Sequence, residues 1–172
     1  MKKHWLILLL CLYSYSSSAG FMEDFRMERR FGAGVGVGGP LSALGLELEF
    51  NLSSNWSLAG GLGSGMDYST LAVKGKYFLL GDQVSPYFLI GFARWWSEGT
   101  VNSEVGPSVL KNIFLQGQDP RNGFSVWTVY PGIGVQFLHD SGFSVYAEAH
   151  YLFKMPNFSN GTYAGLGASW FF

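Results

Sequence analysis

Apolar and polar residues alternate with a period of two through most of residues 31–172, and clusters of turn-forming residues interrupt the alternation. Eight segments emerge. Residues 31–39 set Phe31, Ala33, Val35 and Val37 against four glycines. Residues 43–52 set Leu44, Leu46, Leu48, Phe50 and Leu52 against Gly45, Glu47, Glu49 and Asn51. In residues 56–65, Trp56, Leu58 and Leu62 share a face, and in 68–80 Leu71, Val73, Tyr77 and Leu79 oppose Thr70, Ala72, Lys74 and Lys76. Residues 86–96 leave two apolar sets open: Phe88, Ile90 and Phe92, or Tyr87, Leu89, Ala93 and Trp95. The alternation is clear again in 124–138, 143–153 and 161–172. Segments of roughly ten residues suit a tilted strand crossing a bilayer.

Alternation alone does not say which face is wet, and composition decides it. Only 13% of residues are charged, aromatics reach 17%, and there are 24 glycines; soluble domains carry about 25% charged residues. The face opposite the apolar set is mostly Gly, Ser, Ala and Tyr, too poor in charge to dissolve a soluble barrel. No apolar run reaches the roughly 20 residues of a spanning helix. Only helices and closed barrels satisfy every backbone polar group in lipid, so the pattern predicts an all-β, eight-stranded antiparallel up-and-down transmembrane barrel.

The first residues read as a signal peptide, 1–19: Lys2 and Lys3, the apolar run 5–13, then small residues ending at Ala19. The bulky Leu10 before Cys11 speaks against a lipidation box. Residues 20–30 form a charged lead-in on the periplasmic side, expected as a disordered stretch or a brief helix, and 31–172 form the barrel domain. Without Lys2 and Lys3, 9 basic and 12 acidic residues remain, a net charge of 9 − 12 = −3, which excludes a strongly basic nucleic-acid binder. Residues 20–172 hold no cysteine, so neither a disulfide framework nor a thiolate metal site is expected.

The final segment carries a resemblance. Gly167-Ala168-Ser169-Trp170-Phe171-Phe172 resembles the C-terminal assembly signal of bacterial outer-membrane barrels, with Gly167, Trp170 and the terminal Phe172 at the signal positions; Gly165 departs from the usual polar residue. The glycine-rich first strand, Asn55-Trp56 and Pro86-Tyr87 extend the resemblance to the small OmpA/OmpX-like type over roughly residues 31–172. It implies a Gram-negative cell outer-membrane location, contact with outer-membrane lipid and lipopolysaccharide, and recognition by the barrel-assembly machinery. It says nothing of activity, because such folds host structural proteins, adhesins, porin-like channels and a few enzymes.

An even strand number puts both termini in the periplasm. The connections 53–55, 81–85 and 139–142 are then short periplasmic turns, and 97–123 is a long outer loop. That loop carries Val101, Val105, Val109, Leu110, Ile113, Phe114 and Leu115, and is expected either to cap the barrel mouth or to contact a surface partner. Counted from the periplasmic turns, Glu47, Glu49, Lys74, Lys76, Glu148 and His150 fall at similar depth on the inner face. Buried charges persist only when paired, and an eight-stranded barrel is just wide enough for side chains to fill; a salt-bridge network plugging the lumen is the expectation, a narrow conduit the alternative. Arg94 faces lipid if Phe88, Ile90 and Phe92 do, where it would contact lipopolysaccharide phosphate; in the opposite register it joins the lumen network.

Other motifs add little. Gly34-x-Gly36-x-x-Gly39 imitates a dinucleotide fingerprint, but Pro40 and another strand follow where a helix is required. His139 lies in a turn, and no pair has metal-ligand spacing. A lipid A-modifying enzyme is the reading from another class: the deacylase type, by resemblance, uses a membrane-facing His-x-Ser, whereas His150 is followed by Tyr151 and Leu152. The sequence therefore points to no cofactor, no catalytic residues, and a structural or surface-interaction role.

Overall fold

The computed structural model describes residues 25–65, 67–79, 83–99, 115 and 119–172; the proposed signal peptide and residues 20–24 of the lead-in lie outside them. Eight strands follow one another: β1 (Phe31–Gly38), β2 (Leu44–Asn51), β3 (Trp56–Ser64), β4 (Ser69–Phe78), β5 (Val84–Ser97), β6 (Phe124–Leu138), β7 (Phe143–Met155) and β8 (Asn160–Phe171). Each pairs antiparallel with its neighbour in sequence, and β1 also pairs with β8, closing an up-and-down barrel. Closure leaves no unpaired strand edge.

The side chains sort as period-two alternation requires. Leu46, Ile90 and Phe92 point outward with 68%, 60% and 61% of their surface exposed, whereas Glu47, Lys74 and Glu148 are buried in the interior. A surface this apolar around a polar interior is that of a transmembrane barrel. In β5, Phe88, Ile90 and Phe92 face out and Tyr87, Leu89, Ala93 and Trp95 face in. The register was ambiguous because this part of the interior is itself aromatic, so both faces of the strand are apolar. β5 also starts earlier than expected: Val84 and Ser85 pair with Phe137 and Gln136 of β6, which shortens the turn read over 81–85.

The connection after β1 is more than a turn. Gly38 and Gly39 adopt φ of 74° and 58°, open to glycine at little cost. They swing a short 3-10 turn, Gly39–Leu41, into the barrel, where Leu41 is buried. Glycines on the surrounding strands make the room. A Cβ at Gly61 would lie 2.7 Å from Leu41 Cδ2 and 2.6 Å from the Leu46 carbonyl oxygen. Gly61→Ala should therefore destabilise the barrel by about 1–3 kcal/mol, as overpacking does. Gly75→Ala, at an outward position with nothing within 4 Å of the added carbon, should be near neutral. Urea-unfolding midpoints in lipid vesicles check both, and equal midpoints would refute the fit around Leu41.

Candidate functional site: the charged lumen and the outward-facing rim

The interior has three layers. At the end carrying the termini, residues 25–28 form one helical turn that places Phe25 against Leu138 and Phe171. Residues 25–28 of the lead-in thus form an inserted turn. Arg26 lies beside it, its guanidinium carbon 3.5 Å from the centroid of the Phe78 ring, and Nη2 donates to Gln136 Oε1 at 3.4 Å. Burial pulls its pKa down to about 10, against the opposing pull of Glu49, so it stays charged at neutral pH. Arg29 Nη1 donates to the Ser141 carbonyl at 2.7 Å, tying the same segment to the β6–β7 turn.

The middle layer holds all six charged residues singled out for the lumen. Lys74 Nζ sits 2.8 Å from both Glu148 carboxylate oxygens and 2.9 Å from Glu47 Oε2. Lys76 Nζ sits 2.7 Å from Glu49 Oε2, with Glu47 at 3.8 Å and Glu148 at 3.9 Å. Ser57 Oγ donates to Glu49 Oε1 at 2.6 Å and Tyr87 OH to Glu148 Oε1 at 2.7 Å. His150 Nε2 lies 3.0 Å from Glu148 Oε2, and its ring meets Tyr130 edge-on at 5.4 Å. Among the described residues the buried lysines and arginines are Arg26, Lys74 and Lys76 and the buried carboxylates Glu47, Glu49 and Glu148, three of each. Each carboxylate is engaged by a lysine ammonium, an arrangement suited to ion pairing and to filling space.

The upper layer is apolar. Leu41, Trp95, Leu115, Phe124, Val126 and Leu152 form a buried cluster with Tyr68 and Tyr163 packed against it. The Trp95 ring is 6.2 Å from Tyr68 and 6.1 Å from Tyr163. Leu115 belongs to the long loop read over 97–123; residues 100–114 and 116–118 of that loop lie outside the described residues.

Outside the lumen, Arg94 points away from the interior. Its guanidinium lies 5.5 Å from the Trp96 ring and 5.4 Å from the Trp127 ring, and Nε donates to Ser125 Oγ at 3.2 Å. His139 is in the exposed β6–β7 turn with Nδ1 3.0 Å from Ser141 Oγ. In the last strand, Trp170 and Phe172 face outward, and Gly167 faces inward where an added Cβ would lie 2.3 Å from the Tyr146 ring. Sequence reasoning missed Leu41, Arg26 and the upper cluster. The only signals were the Gly-Gly-Pro run before Leu41 and the inward parity of Trp95.

No protein-family model matches the chain, and no curated protein matches it in sequence. Solved structures do. The N-terminal β-barrel domain of Pseudomonas aeruginosa OprF aligns with a TM-score of 0.61 at 15% identity, over 84% of this chain and 98% of that one. The Yersinia pestis outer membrane protein Ail aligns with a TM-score of 0.45 at 16% identity, over 84% and 99%. The outer membrane enzyme PagL aligns with a TM-score of 0.38 at 20% identity, over 81% and 97%. With its eight antiparallel strands closed in sequence order and superposing on the OprF barrel, the chain has the fold of the small OmpA/OmpX-like outer-membrane barrels.

Proposed function

We propose that this chain is an integral outer-membrane barrel of structural or surface-interaction type, exported by a cleaved signal peptide, with a lumen plugged by side chains. The observation that carries the reading is the stack of three layers of side chains: the inserted helical turn with Arg26 below, the Lys–Glu ion-pair cluster in the middle and the aromatic cluster above. Partners would be outer-membrane lipid and lipopolysaccharide, the barrel-assembly machinery through Gly167, Trp170 and Phe172, and a surface partner through loop 97–123; no nucleic acid and no cofactor is involved. The end carrying the termini then faces the periplasm. No catalytic role is proposed: His150 is turned into the lumen and followed by Tyr151 and Leu152, leaving no serine beside it for acyl transfer.

The test is electrical. Refolded protein in planar bilayers should give no steady current. Ohmic single-channel currents that Glu148→Ala or Lys74→Ala abolish would overturn the plug and make the charged layer a conduit.

A further inference from the structure

The outward positions of the eight strands, read from the alternation of exposure, carry one charged residue, Arg94; every other charged side chain in the strands occupies an inward position. A cation facing lipid is costly at the membrane midplane and cheap near the interface. Arg94 lies three residues before the end of β5 at Ser97, on the rim opposite the termini. Among the described residues it has no carboxylate partner: its contacts are Ser125 Oγ and the Trp96 and Trp127 rings. Two indoles flank the guanidinium, and the strand register places exposed Ser69 and Ser125 on either side of Trp96.

We infer that Arg94, between Trp96 and Trp127, is a binding site for the phosphate of a lipid headgroup in the outer leaflet. The chemistry follows from the parts. With Nε held by Ser125, the terminal nitrogens of the planar fork remain to bind two phosphate oxygens side by side, a geometry arginine offers and lysine does not. Tryptophans settle where hydrocarbon meets headgroups, so Trp96 and Trp127 fix the depth of the site at the phosphate layer. Their ring faces also attract the cation and hold it in place. The other occupant of such a position, an acidic protein segment, would need a carboxylate at membrane depth; a lipid phosphate is there by default. The inference rests on the outer-membrane reading above and adds a specific lipid contact to it.

The experiment titrates the refolded full chain, in neutral detergent micelles, with diphosphorylated lipid A and counts lipid-bound protein by native mass spectrometry. Wild type should retain the lipid at least ten-fold better than Arg94→Gln, with Arg94→Lys between them. Wild type should retain dephosphorylated lipid A at least ten-fold less than the intact lipid, a comparison that needs no variant to fold. Millimolar inorganic phosphate should not displace the lipid. Equal retention by wild type and a folded Arg94→Gln, equal retention of the dephosphorylated lipid, or displacement by inorganic phosphate would each overturn the site. Insertion into vesicles, read as the heat-dependent gel mobility of folded barrels, separates the outcomes. A chain that never inserts fails the outer-membrane reading, and one that inserts without preferring phosphate fails this inference alone.

Discussion

Lys74→Ala should destabilise the folded barrel by about 3–5 kcal/mol, because removing one partner leaves its buried counter-charges uncompensated. Glu148 would lose both its 2.8 Å contacts and keep only Lys76, 3.9 Å away, with Tyr87 and His150 as hydrogen-bond partners; Glu47 would keep only Lys76, at 3.8 Å. Among the described residues, three buried carboxylates would then face two buried lysine or arginine side chains where they now face three. Urea unfolding in lipid vesicles, followed by gel mobility, measures the loss. The double variant Lys74→Met, Glu148→Gln removes one charge of each sign and keeps much of the volume, and should recover most of it. A buried ion pair is weak support for stability in itself and strong support for not losing one side of it. If the single variant costs under about 1 kcal/mol, water reaches the cluster freely and the plug is wrong.

Trp95→Ala should also cost about 3–5 kcal/mol, the usual range for emptying a large aromatic site in a packed core. Trp95 is fully buried at the centre of the upper cluster, with Tyr68 and Tyr163 on either side. The loss of stability should come without a loss of the seal, since the charged layer and the inserted helical turn lie below the vacated space. Parallel measurements on one preparation test this: the urea midpoint should fall, and planar bilayers should stay silent. Steady currents through Trp95→Ala would mean that the aromatic layer alone closes the lumen.

The strands and their facing were legible because a barrel wall one residue thick forces the alternation onto the sequence, and nothing but turns interrupts it. The Lys–Glu cluster was legible for the same reason: counting from the turns fixes depth, and Glu47, Lys74 and Glu148 share it. Three things were not. β5 turns Tyr87, Leu89, Ala93 and Trp95 inward, so the contrast between its faces vanishes. Leu41 follows a Gly-Gly-Pro run that reads as an ordinary turn; its burial depends on the missing side chains of Gly36, Gly45 and Gly61 on three different strands, a relation that exists only after pairing. Arg26 belongs to a single helical turn, too short for any periodicity, and meets Phe78 and Gln136 more than 50 and 100 residues away. Signals between adjacent residues survive in one dimension, and the contents of the lumen do not.

The helical turn at residues 25–28 and the arginine that follows it bear on how the chain folds as well as on what fills it. Phe25 packs on Phe171, Arg29 reaches the Phe171 carbonyl across 142 residues, and β1 closes the barrel against β8. The earliest described residues therefore have no seat until the last strand has arrived. Contacts of such sequence separation are gained only after the chain has lost the entropy of a very large loop, and topologies built on them are intrinsically slow to form. The seam between β1 and β8 and the seat of the leading segment are thus completed by the same late event, the step at which an escort capable of holding the two edges together has the most to contribute.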